Sequence, residues 1–160
     1  MQFYGKLKIM NKPFIFNKKA RFDYEILETI EAGIVLSGSE VKAIKTGHGS
    51  LIGAFAVIRS GEAWLLNANI PPYQPKNTLK SYDPERSRKL LLNKKEINYL
   101  IGKVQEKGLT LIAIKLYNKK GKIKLEIGLG KGKNKFDKRE AIKKKDMKRE
   151  IERTLRDKDR

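Results

Sequence analysis

The chain has 160 residues, the size of one compact domain with a tail, and 37 Lys+Arg against 18 Asp+Glu leave a formal charge of +19. Such a field selects polyanions, with nucleic acid as the leading partner and an anionic membrane or acidic protein surface behind it. With no cysteine and one histidine, His48, the chain has no means of forming disulfides, thiolate metal sites, cysteine nucleophiles or a histidine metal cluster, so no metal or other cofactor is expected.

Residues 1–16 read as a flexible N-terminal arm. They contain no continuous apolar segment ending in a small-residue cleavage site, and nothing in the chain approaches the roughly 20 apolar residues of a membrane span. A cytoplasmic protein without membrane contact is expected. The body begins near Asn17, and Tyr24 to Ile30 mixes aromatic, β-branched and acidic residues as a half-exposed strand does. Glu31-Ala32-Gly33 reads as a break before a second short strand, Ile34-Val35-Leu36, the two forming a tight antiparallel pair. Ser39 is placed as the cap of a short helix to Thr46, with Val41 and Ile44 inward and Lys42 and Lys45 outward. Ala54 to Arg59 and Ala63 to Ile70 flank Ser60-Gly61-Glu62 as a hairpin, and the prolines from Pro71 to Pro75 end it.

A polar loop continues to about Arg88, and Leu90-Leu91-Leu92 leads into a helix from Lys94 to Lys107. Asn93 caps that helix with Glu96, and Ile97, Leu100, Ile101 and Val104 form its apolar stripe. Leu109 to Tyr117 is a strand apolar on nearly both faces, and Lys122 to Leu129 alternates strictly, with Asn118-Lys119-Lys120-Gly121 turning between them. Six short strands and two helices without regular alternation argue for a small antiparallel OB-like barrel with flanking helices over residues 17–130. Residues 131–160 hold 14 Lys/Arg, 7 Asp/Glu and six apolar residues. Burial of so few groups does not offset about 1–2 kcal/mol of backbone entropy per residue, so this basic tail is expected to be disordered when free. Pairs such as Glu140 with Lys144 and Glu152 with Arg156 let it become helical where phosphates remove its self-repulsion.

Lys131-Gly132-Lys133 is a candidate phosphate contact, with a solvated linker as the alternative. Arg86, Arg88 and Lys89 before a helix start also suit an anion, unless the arginines pair with Asp83 or Glu85. Leu91, if exposed, offers an apolar contact to a base or sugar. Asn17, Lys18, Lys19 and Arg21 form a basic start to the barrel, with Glu31 and Glu40 expected near them to accept from a base amino group or ribose hydroxyl, or to orient an arginine. His48 with Ser50 raises catalysis, but no third orienting group is evident, and no enzyme is expected.

Asn17-Lys18-Lys19-Ala20-Arg21, Glu31-Ala32-Gly33, Gly38-x-Glu40-Val41-Lys42, Asp83-Pro84-x-Arg86-x-Arg88-Lys89-Leu90-Leu91-Leu92 and Lys131-Gly132-Lys133 followed by Asp137-Lys138-Arg139 stand in the order and spacing of one family. The chain resembles the SsrA-binding family, the small protein B of trans-translation. The resemblance implies a non-enzymatic protein, monomeric when free. It would bind the D-loop and T-arm elbow of the tRNA-like domain of tmRNA and travel with it to ribosomes stalled on messages without a stop codon. It implies tmRNA contacts at Asn17, Lys18, Arg21, Glu31, Lys42, Lys89, Leu91, Asn93, Lys131 and Lys133. The tail from Asp137-Lys138-Arg139 would fold in the empty mRNA channel, with Phe136 near the decoding centre. A ribosomal protein with a basic extension, and an RNA-modifying enzyme using His48 and a carboxylate, are the competing readings.

Overall fold

The computed structural model describes residues 12–158, so most of the expected N-terminal arm lies outside the described residues. In chain order the elements are β1 (Ile15–Phe16), α1 (Lys18–Asp23), β2 (Tyr24–Ile34), α2 (Gly38–Lys45), β3 (Phe55–Arg59), β4 (Glu62–Leu66), β5 (Arg88–Leu91), α3 (Lys94–Val104), β6 (Leu109–Lys119), β7 (Lys122–Gly132) and α4 (Lys135–Lys158), with a 3-10 turn at Pro75–Asn77.

Every strand pairing is antiparallel, in the order β6-β3-β4-β5-β2-β7, and β7 returns to pair with β6 from Leu109↔Lys131 to Lys119↔Lys122. The sheet therefore closes into a six-stranded barrel, which among the described residues leaves no long edge free to recruit another chain. Leu65, Leu111, Leu116, Leu125 and Ile127 fill its interior, each contributing about 1.5–3 kcal/mol by leaving water. Both tight hairpins turn on two residues with positive φ, Ser60-Gly61 and Lys120-Gly121, as the right-handed strand twist requires.

The expected OB-like barrel with flanking helices is present, and several local expectations need correction. The arm does not extend to residue 16: Ile15 is buried, and Ile15↔Leu116 adds β1 to β6 beyond the stretch that β3 covers. The expected break at Glu31-Ala32-Gly33 is absent, because β2 runs unbroken from Tyr24 to Ile34. Gly33 serves a different purpose there. It faces Leu91 of β5, and a Cβ on it would lie 3.0 Å from Leu91 Cβ, so its missing side chain lets two strands approach. The α2 cap is Ser37, two residues before the serine expected, in a reciprocal box with Glu40. Leu90-Leu91 belongs to β5, a four-residue strand paired on both sides by β4 and β2. The α3 cap at Asn93 is as expected, but the helix ends at Val104, before Lys107. Strand β7 continues past Leu129 to Gly132, and residues of the tail form the 24-residue helix α4. Its Phe136, Met147, Ile151 and Leu155 are all exposed, so intramolecular burial contributes little to that helix.

Candidate nucleic-acid interface

The basic start of the body becomes α1, and its position is set by Asn17. That side chain is buried, accepts from the Ala20 amide at 3.1 Å, and donates to the carbonyls of Leu51 at 2.8 Å and Ala113 at 3.0 Å. Its amide is thus engaged inside the protein, where it fixes the position of α1. Lys18, Lys19 and Arg21 remain exposed on that helix.

The end of β7 comes to the same place. Gly132 pairs with Tyr24, the Lys133 amide donates to Asp23 O at 2.9 Å, and Lys133 Nζ donates to Arg21 O at 2.9 Å. Lys131 is exposed at the adjoining position of the strand, and apart from its chain neighbours nothing lies within 4 Å of the position a Gly132 Cβ would take. Five cations from two distant stretches, Lys18, Lys19, Arg21, Lys131 and Lys133, so share one end of the barrel beside an open backbone. Polyphosphate is the ligand that this arrangement suits. A cleft of about 310 Å³ between α1 and the Ile52–Phe55 segment, lined by Lys19, Asp23 and Tyr24 among others, adjoins it. Lys138, in the first turns of α4, bridges to Asp23 at 3.1 Å, tying the tail to the same end.

Neither carboxylate joins this cluster. Glu31 lies seven residues along β2 from Tyr24, roughly 23 Å in an extended strand, so it cannot neighbour α1. Its partners are the Tyr117 hydroxyl and Lys119 Nζ of β6. The Tyr117 hydrogen bond first, and that of Lys119 second, hold the Glu31 carboxyl below its ordinary value, while burial and the carboxylate together raise the Tyr117 phenol.

Glu40 is wholly buried. It accepts from Arg86 through Nε at 2.8 Å and Nη2 at 2.7 Å, from Arg88 Nε at 3.1 Å and from the Ser37 amide at 2.9 Å. Burial pushes its carboxyl up, but these donors and charges outweigh that and leave it below its ordinary value. Arg88 spends its remaining donors on the carbonyls of Ala68, Arg86 and Pro84. The suggested anion site at Arg86 and Arg88, and their suggested pairing with Asp83 or Glu85, both give way to this buried network. The arginines fasten α2 to the start of β5 and the residues just before it.

A second group lies on β5 and the start of α3. Leu91 is 56% exposed, Asn93 is exposed while capping α3 through Glu96, and Lys89 bridges to Glu62 at 2.5 Å. Gly33↔Leu91 pairing sets this group beside β2, the strand that carries Glu31. Lys42 stands apart on α2, its Nζ 5.9 Å from the Tyr73 ring centroid, at the rim of a 520 Å³ cleft that includes Leu79 and Tyr82. His48 Nδ1 is 2.7 Å from Thr46 Oγ1, while Ser50 Oγ accepts from the Ile52 amide, so the two have separate partners. Of the tail residues, Phe136 is 74% exposed, and Asp137 and Arg139 are exposed beside Lys138.

Tyr117, Lys119 and Asp23 escaped sequence reasoning as parts of these sites. The alternation of Lys115, Tyr117 and Lys119 does put them on one face of a strand. It does not say which strand lies opposite.

Comparison with known proteins adds an independent line. The family model described as SmpB protein matches residues 14–157. The SsrA-binding protein of Sulfurihydrogenibium sp. (strain YO3AOP1) is 57% identical over 142 residues, covering 89% of this chain and 93% of that one. That of Persephonella marina is 58% identical over 135 residues, covering 84% and 88%. A chain in the solved structure "tmRNA-SmpB: a journey to the center of the bacterial ribosome" is 47% identical with a TM-score of 0.64, covering 79% of this chain and 92% of that one. The barrel, the basic end it builds and these similarities converge: the chain belongs to the SmpB protein family.

Proposed function

We propose that this protein binds the tRNA-like domain of tmRNA and accompanies it to stalled ribosomes in trans-translation. The observation that carries the reading is the convergence of Lys18, Lys19, Arg21, Lys131 and Lys133 at one end of the barrel, in a chain 47% identical to one solved under the name tmRNA-SmpB. Cations and an open backbone there position the RNA phosphates, while Leu91, Asn93, Lys89 and Glu31 supply shape-sensitive contacts to sugars and bases. Lys42 adds charge from α2.

Binding of a folded RNA needs no covalent step. His48 is exposed and engaged with Thr46, and the protein acts without catalysis, in the cytoplasm where ribosomes work. Among the described residues no helix is long and apolar enough to cross a membrane. The basic helix α4 is the part that meets the ribosome: Lys138 holds its root to Asp23, Arg139 faces rRNA phosphates in the mRNA channel, and the Phe136 ring stacks on a base near the decoding centre. Free in solution this helix gains little from packing, since Phe136, Ile142, Met147, Ile151 and Leu155 are all exposed, so neutralisation by phosphates on the ribosome is what stabilises it.

A competition between a tRNA-like-domain transcript of tmRNA and bulk tRNA, at two salt concentrations, tests the RNA assignment. Preference for the tmRNA transcript that persists at high salt is expected, and equal affinity for any structured RNA overturns it. Truncation before Asp137 should leave that affinity intact while abolishing tagging on stalled ribosomes. A large affinity loss on truncation would move the tail into the tmRNA interface.

A further inference from the structure

Three charged residues stand in one row across the barrel wall: Lys115 of β6 is paired with Glu126 of β7, and Glu126 with Glu31 of β2. Two carboxylates directly opposite on neighbouring strands destabilise a sheet unless each is neutralised. Lys115 Nζ serves Glu126 at 3.1 Å. Glu31 is served by Tyr117, whose hydroxyl donates to Oε2, and by Lys119, whose Nζ donates to Oε1 and Oε2 at 2.9 Å each. Lys115 also sits 5.3 Å from the Tyr117 ring centroid, which fixes the ring between two partners.

A carboxylate offers about four acceptor directions. Tyr117 and Lys119 occupy three, leaving one on Oε1, and the Glu31 side chain is still 34% exposed. Glu31 and Glu126 are balanced in charge by Lys115 and Lys119, and Lys124 of β7 adds a further cation against Glu31. An RNA backbone can therefore approach this carboxylate without net repulsion.

We propose that Tyr117 and Lys119 are positioning residues for RNA recognition: they hold Glu31 as an ionised, oriented acceptor whose open Oε1 direction takes a hydrogen bond from an RNA donor, either a ribose 2′-hydroxyl or a base amino group. The inference rests on the reading above that Glu31 faces tmRNA. It adds that the geometry of Glu31, and not its charge alone, makes the contact, because a freely rotating carboxylate in a field of phosphates would turn toward the nearest lysine.

The test is a double-mutant cycle on the full chain, with affinity for the tRNA-like-domain transcript as readout and thermal melts to verify folding. Glu31→Gln and Tyr117→Phe should each weaken binding about tenfold, as loss of a hydrogen bond to a charged group does. The double variant should bind no more weakly than Glu31→Gln alone. Tyr117→Phe should also shift the acidic limb of the binding profile to higher pH, because its Glu31 then titrates nearer the ordinary value; a limb that stays in place overturns the proposal. Lys119→Gln, at an exposed position, repeats the cycle if Tyr117→Phe does not fold. Multiplied losses in the double variant, about a hundredfold, overturn it as well. Wild-type binding by Glu31→Gln overturns both the inference and the place of Glu31 in the interface, while the tmRNA assignment is judged separately by the competition assay. In the supporting case, 2′-deoxy substitution of the RNA elbow that erases the difference between wild type and Glu31→Gln names ribose as donor, and one that preserves it names a base.

Discussion

Glu40 Oε1 and Arg88 Nη2 lie 2.9 Å apart with both side chains wholly withdrawn from solvent. Such a pair is weak evidence of net stabilisation, yet removing one partner strands the other charge in a poorly polarisable interior. Glu40→Gln should therefore cost about 3–5 kcal/mol, measured by urea unfolding at neutral pH. The pH dependence has a definite sign. The folded-state value of Glu40 lies below its ordinary 4.5, so its contribution is complete above that value and is lost as pH falls through the folded one. Acid titration of stability should accordingly be steeper for the wild type than for Glu40→Gln.

Asn17 joins three parts of the chain through one amide group. Asn17→Ala leaves the Leu51 and Ala113 carbonyls without that donor and removes the α1 cap. A loss of about 2–4 kcal/mol is expected from unsatisfied buried groups and the lost cap. Asn17→Asp keeps the cap but points a second oxygen at two carbonyls, so it should be the more destabilised of the two in a thermal melt. The reverse order would remove the donor role assigned to this residue.

Gly130 is a packing requirement of the outer barrel wall. A Cβ there would lie 2.5 Å from Ile112 Cδ1 and 3.2 Å from Tyr24 Cβ. Gly130→Ala should cost about 1–3 kcal/mol, with part of the loss recovered by adding Ile112→Val, which removes the obstructing methyl. Chemical denaturation of the single and double variants measures this directly.

Charge reversal of Lys131 and Lys133 should weaken binding to the tRNA-like domain and make its salt dependence shallower by about 1 per lost phosphate contact, about 2 in the double variant. Stability should change little, because Lys131 is exposed and Lys133 makes a surface contact to Arg21 O. An unaltered slope would take both lysines out of the interface.

Local signals in the chain identified much of this architecture. Turn residues at Ser60-Gly61 and Lys120-Gly121, the Asn93 cap, the apolar strand β6 and the alternating strand β7 all follow from neighbours within a few positions. What escaped depends on distance along the chain. Glu40 meets Arg86 and Arg88 across 46 and 48 residues, and Glu31 meets Tyr117 across 86. β5 has only four residues, and its order derives from strands on both sides of it. Gly33 reads as a break because glycine signals close backbone approach and positive φ alike, and only the register with Leu91 separates the two. Local signals likewise name the residue types that suit RNA near both ends of β2, but not the strand length that holds Glu31 away from Arg21.

The tie between Asp23 and Lys138 gives α4 the mechanics of a lever. Its 24 residues form a rod about 36 Å long, so a tilt of roughly 10° at its root sweeps the far end through about 6 Å. Small adjustments where RNA phosphates settle on α1 would thus be magnified at the distal tip, letting the grip on one nucleic acid aim a probe into another.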